Sequence, residues 1–560
     1  MKRSLSALSL AIVLLAAACS QDKSSPAPVG PGGPENPVAP RSIAFTCNET
    51  ELSENGSAVV TLRVVPADAQ VAPTDFRLAD ATTGTAPDDF TFHPTGETDP
   101  AAGTCRMRIA YKGGERKFQR SFRAVYGDTA LQSDPIIVHA PSYTPVVHIR
   151  TEAPVVDKEN WIAGTLRIDG GNRFEDLPET ALSVRGRGNS TWEWEKKPYA
   201  LKFDKKQEVL GMPKHKRWCL IANYMDRTHL RNRIAYHLGA HSKLDYTTRN
   251  EFVEVYMNGR YEGCYLLTEQ IRVDANRVNV GENTGFLLEF DTYFDEEVRF
   301  RTPASDIPVN VKFPDPEDLS EARLDALKEY LARTDQAVQA RLSATGGEDP
   351  FEYLDRESMI DYWIIFELMS NHEMLHPKSV YFHKDGNGKL IAGPIWDFDF
   401  ETLAEHRRTG WINFGSEDSP LNWMPWAKRN WWNVLLRHDA TLRADVRNRW
   451  EQWYPFLRSV PEFIRQQRAS IAAAVSRDNR RWPVIQAGNE NGDLALTFDQ
   501  AAERIESVYR ERLEWLDREI SAWYGQTNEK YKEDSRKSST AYRKPITYSR
   551  ASNFGSKNEM

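Results

Sequence analysis

Two stretches of the chain carry residue types whose spacing could do phosphate and metal chemistry. Arg185-Gly186-Arg187-Gly188-Asn189-Ser190-Thr191 follows the apolar run Ala181-Leu182-Ser183-Val184, and Lys202 stands eleven residues after Thr191 inside Tyr199-Ala200-Leu201-Lys202-Phe203. Glycine lets backbone N–H groups approach a phosphate closely, and a lysine on the following strand can meet that phosphate as a point charge. The second stretch is acidic. Glu373 lies in the loop from Asn371 to Lys378, Ser379 follows it, and Pro394-Ile395-Trp396-Asp397-Phe398-Asp399 supplies two further carboxylates. Carboxylates and hydroxyls are hard oxygen donors, suited to magnesium, and a loop carboxylate can act as a general base.

The elements around the acidic stretch give these residues their order. Asp355 to Asn371 predicts a helix that is apolar nearly all round, hence buried. A strand from Ser379 to His383, a turn at Asp385-Gly386-Asn387-Gly388 and a strand from Lys389 to Ala392 lead into Asp397. Buried helix, acidic loop, hairpin and acidic turn is the layout by which protein kinases place a base and a metal-binding Asp. For each Asp of the turn a helix N-cap is the structural alternative. A rival reading sits on the same loop: His372-Glu373-Met374-Leu375-His376 matches the HExxH zinc pattern, with Glu401 as a third ligand. Pro377 pushes His376 away from helical dihedrals, so zinc ranks last.

The remaining chain frames this region. With 40% hydrophobic and 27% charged residues among 560, and a net charge of -8, the composition is that of a soluble globular protein of more than one folding unit. A pI near 5.9 gives no footprint for nucleic acid. Residues 1–19 read as an export signal whose Ala16-Ala17-Ala18-Cys19 resembles a lipobox, which implies a membrane anchor on Cys19 and a place at the outer membrane or cell surface. Residues 20–41, rich in Pro and Gly, form a tether. Short alternating runs over 42–140 predict an antiparallel, immunoglobulin-like β-sandwich, in which Cys47 and Cys105 could be bridged. Residues 141–525 mix strands and helices as an α+β domain, closed by a helix over about 499–524 that stops at Gly525; 526–560 are a solvated tail.

Taken together, Arg187-Gly188-Asn189-Ser190-Thr191-Trp192, Lys196-Lys197-Pro198-Tyr199-Ala200-Leu201-Lys202-Phe203-Asp204, Leu210-Gly211-Met212-Pro213, Leu220-Ile221-Ala222-Asn223-Tyr224, Leu230-Arg231-Asn232, Gly263 to Gln270 and Pro394 to Asp399 resemble, in order, the CotH-type protein kinases, atypical kinases first associated with spore coat proteins. The resemblance covers about 180–400, with similar helices continuing to about 524. It implies a bilobal kinase-like domain behind the sandwich, and transfer of the ATP γ-phosphoryl, with magnesium, to Ser or Thr of an exported protein. Carried over, Gly186, Gly188, Asn189, Ser190 and Lys202 hold ATP, Glu373 is the base, and Asp397, Asp399 and Ser379 hold metal. Two positions depart from the family: Glu373 replaces an Asp, and Ser379 stands where an Asn is frequent. An exported chain also meets little ATP, so the alternative is a silent kinase-like fold serving surface binding, adhesion or a glycan, for which Trp423, Trp426, Trp431 and Trp432 offer stacking planes, although core packing explains such a cluster more often.

Overall fold

A computed structural model describes residues 37–99, 101–115, 117–343, 346–414, 429–486 and 488–523. Cys19, the tether to residue 36, Trp423, Trp426, Gly525 and the tail 526–560 lie outside them. The chain divides into two compact units, Met1–Pro141 and Ser142–Met560.

In the first unit the alternating runs become eight strands: β1 (Ser42–Phe45), β2 (Glu49–Glu51), β3 (Ser57–Val65), β4 (Phe76–Asp80), β5 (Phe90–Asp99), β6 (Thr104–Tyr111), β7 (Gln119–Tyr126) and β8 (Ile136–His139). They form two four-stranded sheets, β1-β3-β6-β5 and β2-β8-β7-β4. Leu62, Met107 and Ile109 of the first and Phe122, Ile136 and Val138 of the second share one core, because period-two alternation turns every second residue inward. Pairing is antiparallel except between β2 and β8, which run parallel. Cys47 and Cys105 are both free thiols.

The second unit opens with a closed barrel of seven strands, which the sequence pattern did not announce. The strands are β9 (Val146–Thr151), β10 (Ile162–Asp169), β11 (Leu177–Gly186), β12 (Tyr199–Val209), β13 (Met212–Ile221), β14 (Asn250–Met257) and β15 (Arg260–Glu269), in the order β10-β11-β12-β13-β15-β14-β9. A parallel pairing of β14 with β9 closes the ring, so no strand edge is left open. Val184, Leu201, Phe203, Trp218, Val255 and Leu267 fill the interior. Their neighbours Cys219, Ile221, Cys264 and Leu266 face outward into a second core shared with the helices. The wall is apolar on both faces there, which explains runs such as Gly263-Cys264-Tyr265-Leu266-Leu267 that do not alternate.

Helix α1 (Arg231–Ala240) crosses from β13 to β14, and a five-stranded sheet follows the barrel in the order β17-β18-β16-β19-β20. Its members are β16 (Phe286–Phe290), β17 (Arg299–Arg301), β18 (Pro308–Phe313), β19 (Val380–Lys384) and β20 (Ile391–Ala392). Six further helices pack around it: α2 (Glu321–Ala340), α3 (Arg356–Leu368), α4 (Trp431–His438), α5 (Ala440–Leu457), α6 (Val460–Arg481) and α7 (Phe498–Ser521). Helix α3 is the expected buried one. Asp355 caps it by accepting from Ser358 N–H, and every residue from Ser358 to Leu368 is buried. Its two buried acids are neutralised, Asp361 by a two-pronged bond from Arg449 (2.7 Å each) and Glu367 by Arg512 at 2.6 Å. The helix ends three residues before the expected Asn371, where Ser370 takes a left-handed φ of 56° and turns the chain into the acidic loop. Helix α7 starts on a capping box between Thr497 and Gln500 and buries Ile505, Tyr509, Leu513, Leu516 and Ile520.

Helix α6 is tied to the barrel by a buried ion pair. Lys196 Nζ, with none of its side chain exposed, meets Asp478 Oδ1 at 2.6 Å and the Cys264 carbonyl at 2.6 Å, while Asp478 Oδ1 also accepts from Cys264 N–H at 2.7 Å. His229 Nε2 lies 3.7 Å from Asp478, and burial pushes its imidazole down to about 4, so it is neutral. Removing the ammonium strands a buried carboxylate. Lys196→Met therefore lowers unfolding stability by about 3–5 kcal/mol, read from the urea midpoint of the barrel-containing unit. Lys196→Met/Asp478→Leu recovers part of that loss, and an unchanged midpoint in the single variant would assign the pair no role in stability.

Candidate active site

The glycine loop grows out of the end of β11. Gly186 closes that strand, where a Cβ would sit 2.5 Å from the Trp192 ring and 2.7 Å from the Asp157 carbonyl oxygen, so only glycine fits. Gly188 has φ +84°, and a Cβ there would lie 2.0 Å from Thr191 Oγ1. Asn189 and Ser190 are exposed at the tip and open a short 3-10 turn to Trp192. Arg187 links this loop to the acidic turn by placing its guanidinium 5.4 Å from the centre of the Trp396 ring. Lys202 points outward from β12, directly opposite Arg217 of β13, with Nζ 5.9 Å from the Trp161 ring.

The backbone of the acidic turn is held by three asparagine amides. Asn371 Nδ2 donates to the Asp397 carbonyl (3.2 Å), Asn232 Oδ1 accepts from Phe398 N–H (2.7 Å), and Asn491 Nδ2 donates to the Asp399 carbonyl (2.8 Å). Asn371 also accepts from Glu373 N–H at 2.8 Å, so one amide fixes the loop and the turn together. Asp397 itself has φ +68°, a left-handed conformation that is costly for a residue with a Cβ and that leaves its side chain exposed. Asp399 is buried. Beneath it Arg231 pairs with Asp226 and with Asp493 (2.8 Å) and donates Nε–H to the Thr402 carbonyl at 2.6 Å.

Electrostatics bring Glu373, Asp397 and Asp399 into one group. Burial, and then the Asp397 charge, hold the Glu373 carboxyl well above the usual carboxylate range; Lys378 opposes this, while Asp399 and Asp291 add to it. Asp399 is raised in the same direction by burial, then by Asp397 and Asp226. Asp291, at the end of β16, is pushed up to about 6 by burial and by Glu289, and its carboxylate accepts from Tyr293 N–H (2.7 Å) and Ser379 N–H (3.2 Å). Ser379, with φ +52°, is thereby tied to Asp291.

The structure thus gathers Glu373, Asp397 and Asp399, sets the glycine loop beside them through Arg187, and leaves Lys202 on the barrel wall. Asp291, Lys378 and the three asparagines were missed by the sequence reading. Asn232 alone stood inside a quoted motif, and single amides carry no spacing signal. The HExxH stretch is a turn and not a helix: His372 Nδ1 faces Arg407 (3.1 Å) and Glu401 (3.4 Å), whereas His376 Nε2 faces Thr292 Oγ1 (3.4 Å). Glu401 is taken by Arg407. Trp431 and Trp432 do not offer stacking planes either. They are buried against Phe382, and donate their indole N–H to Asp335 and to the Met359 carbonyl (2.9 Å each).

Among the described residues no group of three or more His, Cys, Asp or Glu is arranged to hold a metal by itself. Magnesium, however, is commonly held through one or two carboxylates together with substrate phosphates and water. Asp397 and Asp399 provide such a pair of oxygen donors, set on one turn and repelling one another, and a magnesium-phosphate ligand fits them by relieving that repulsion.

A carboxyl raised on folding stabilises the protein fully below its unfolded value of about 3.9 and costs stability as pH rises through the folded value. Replacing Asp399 by a permanently neutral group removes that cost. Asp399→Asn is expected to raise unfolding stability by about 1 kcal/mol at pH 7.5, with the gain closing toward pH 4. An equal gain at both pH values would mean the carboxylate is not under repulsion.

Residues 184–516, more than half of the chain, match the protein-family model CotH, described as CotH kinase protein. No curated protein matches. Among solved structures, domains 5–6 of the S-layer protein SbsC are similar over 44% of this chain and 88% of that one at 8% identity, with a TM-score of 0.14. The N-terminal Ig1-2 module of the Drosophila receptor protein tyrosine phosphatase DLAR is similar over 32% and 96% at 11% identity, TM-score 0.13. At such TM-scores neither likeness bears on the fold.

Proposed function

The chain belongs to the CotH kinase family, and from that premise we propose that it is a magnesium-dependent kinase which moves the γ-phosphoryl of ATP to a Ser or Thr hydroxyl of an exported protein. The observation that carries the reading is the meeting of the glycine loop with the crowded carboxylates, bridged by Arg187 on Trp396. In this reading the barrel is the upper lobe of a kinase-like pair, the helices and five-stranded sheet are the lower lobe, and the first unit is an immunoglobulin-like spacer behind a lipid anchor on Cys19.

The reading gives each residue a role. The exposed backbone at 188–190 approaches phosphate oxygens, and Lys202 meets them with charge. Asp397 and Asp399 would hold magnesium, which would neutralise phosphate charge there. Glu373 takes the proton of the acceptor hydroxyl as its oxygen bonds to phosphorus and the bond to ADP breaks with its electron pair. Lys378 opposes the rise of the Glu373 carboxyl and so favours its charged form. Ser379, tied to Asp291, is kept as a candidate metal contact only through its hydroxyl.

One observation favours a second reading. A carboxyl held far above its ordinary range is a poor base at neutral pH, and Glu is a methylene longer than the family's Asp. The fold would then be a silent binding module. Glu373→Gln separates the two: transfer measured with radiolabelled ATP is expected to fall by roughly 10² or more while ATP binding persists, and equal transfer in both forms would remove Glu373 as the base. For the metal, Asp397→Ala is expected to abolish magnesium-dependent ATP binding while the chain still unfolds cooperatively, since the side chain is exposed. Unchanged ATP affinity would overturn its assignment.

A further inference from the structure

The outer face of β11, β12 and β13 carries a concentration of positive charge that the transfer reaction does not use up. Arg185, Arg217 and Lys202 converge on Trp161, with charge centres 4.7, 4.9 and 5.9 Å from its ring. Arg272, in the segment after β15, lies close enough to repel Arg217, and Arg187 extends the row to Trp396 beside Asp397. Strand register fixes the arrangement: Lys202 is directly opposite Arg217, and Arg185 is opposite Ala200, one diagonal step away.

Among the described residues, none of these five cations has a carboxylate within 4 Å, although surface arginines of this chain are commonly paired, as Arg408 and Arg465 are. Arg185 Nε is buried without a hydrogen-bond partner. Asp315 acts on Arg217 only from beyond ion-pair reach. Burial and the repulsion of Arg272 and Arg185 loosen the proton of Arg217, a cost that an anion on this face would remove. In a chain of net charge -8, five bare cations on one face point to a missing anion. Guanidinium forks match the oxygens of phosphate two at a time, and the Arg187 end of the row adjoins the carboxylate pair that fits a metal, where phosphate is the anion expected. With three cations about its ring, Trp161 serves to hold them.

We propose that this face is a polyphosphate-recognition wall, on which Arg185, Arg217 and Arg272 join Lys202 in gripping a phosphate chain, so that the cleft selects its ligand by phosphate and not by base. The proposal deepens the reading of the same cleft and rests on it for Lys202 as a phosphate contact. The chain of phosphates could come from a nucleotide or from inorganic polyphosphate. Calorimetry on the full chain with magnesium separates them, using ATP, inorganic tripolyphosphate and adenosine as probes. Tripolyphosphate is expected to bind and to displace ATP, adenosine to do neither, and added salt to weaken both phosphate ligands. Lys202→Gln/Arg217→Gln, with an unchanged melt, is expected to weaken ATP and tripolyphosphate alike by about tenfold or more. Arg272→Gln, on a different segment, provides a second variant if the first does not fold. Adenosine competing as well as ATP, or variants that bind both phosphates as the native chain does, would overturn the wall. Tripolyphosphate binding without phosphoryl transfer from ATP keeps the wall and removes the kinase reading; transfer from ATP with no loss in the variants does the reverse.

Discussion

Like charges have to be kept together for this cleft to exist. Glu373, Asp397 and Asp399 repel one another, and burial withholds the water that would screen them. The restraint is applied to the backbone, by Asn371, Asn232 and Asn491, which reach in from the end of α3, from α1 and from the segment before α7. Each neutral amide spends its hydrogen bond on a carbonyl or an N–H of the turn, adds no charge and takes no carboxylate oxygen. The buried Arg231, clamped between Asp226 and Asp493, is the floor on which that turn rests.

The barrel answers a complementary need. Its wall must be greasy on both sides where it meets the helices and charged on one side where it faces the cleft. The same strands do both. Along β13, Cys219 and Ile221 enter the helical core while Arg217, on the same face, turns to the open end. Position along one strand therefore decides whether an outward residue is core or site.

That duality also explains how much the sequence disclosed. The buried helix, the hairpin and the order of loop, turn and lysine were legible, because they rest on local periodicity and on motif order. The α3 boundary was overrun because Ser370, not a glycine, takes the left-handed cap. The closed barrel was not legible: ring closure depends on pairing β9 with β14, more than a hundred residues apart, and on strands whose two buried faces erase alternation. Of the site, the acids were found by type and spacing. Asp291 was not, since its proximity to Glu373 arises only when β16 and β19 pair. Trp431 and Trp432 are core, as packing most often makes an aromatic cluster, although such a cluster reads the same in sequence whether it faces solvent or core.

The bond between Asp478 and Cys264 N–H spans 214 positions of sequence, and Lys196 reaches the same carboxylate across 282. A chain emerging from its N-terminus can therefore roll up β9 to β15 long before the residue that satisfies them has been made. Until α6 arrives, the ammonium has only the Cys264 carbonyl and no counter-charge, the Cys264 N–H lacks its acceptor, and the young barrel remains incomplete. Such a high contact order makes closure a late event. Helix α6, made long after the barrel strands, acts as the timing element of the fold and withholds a finished cleft until it has docked.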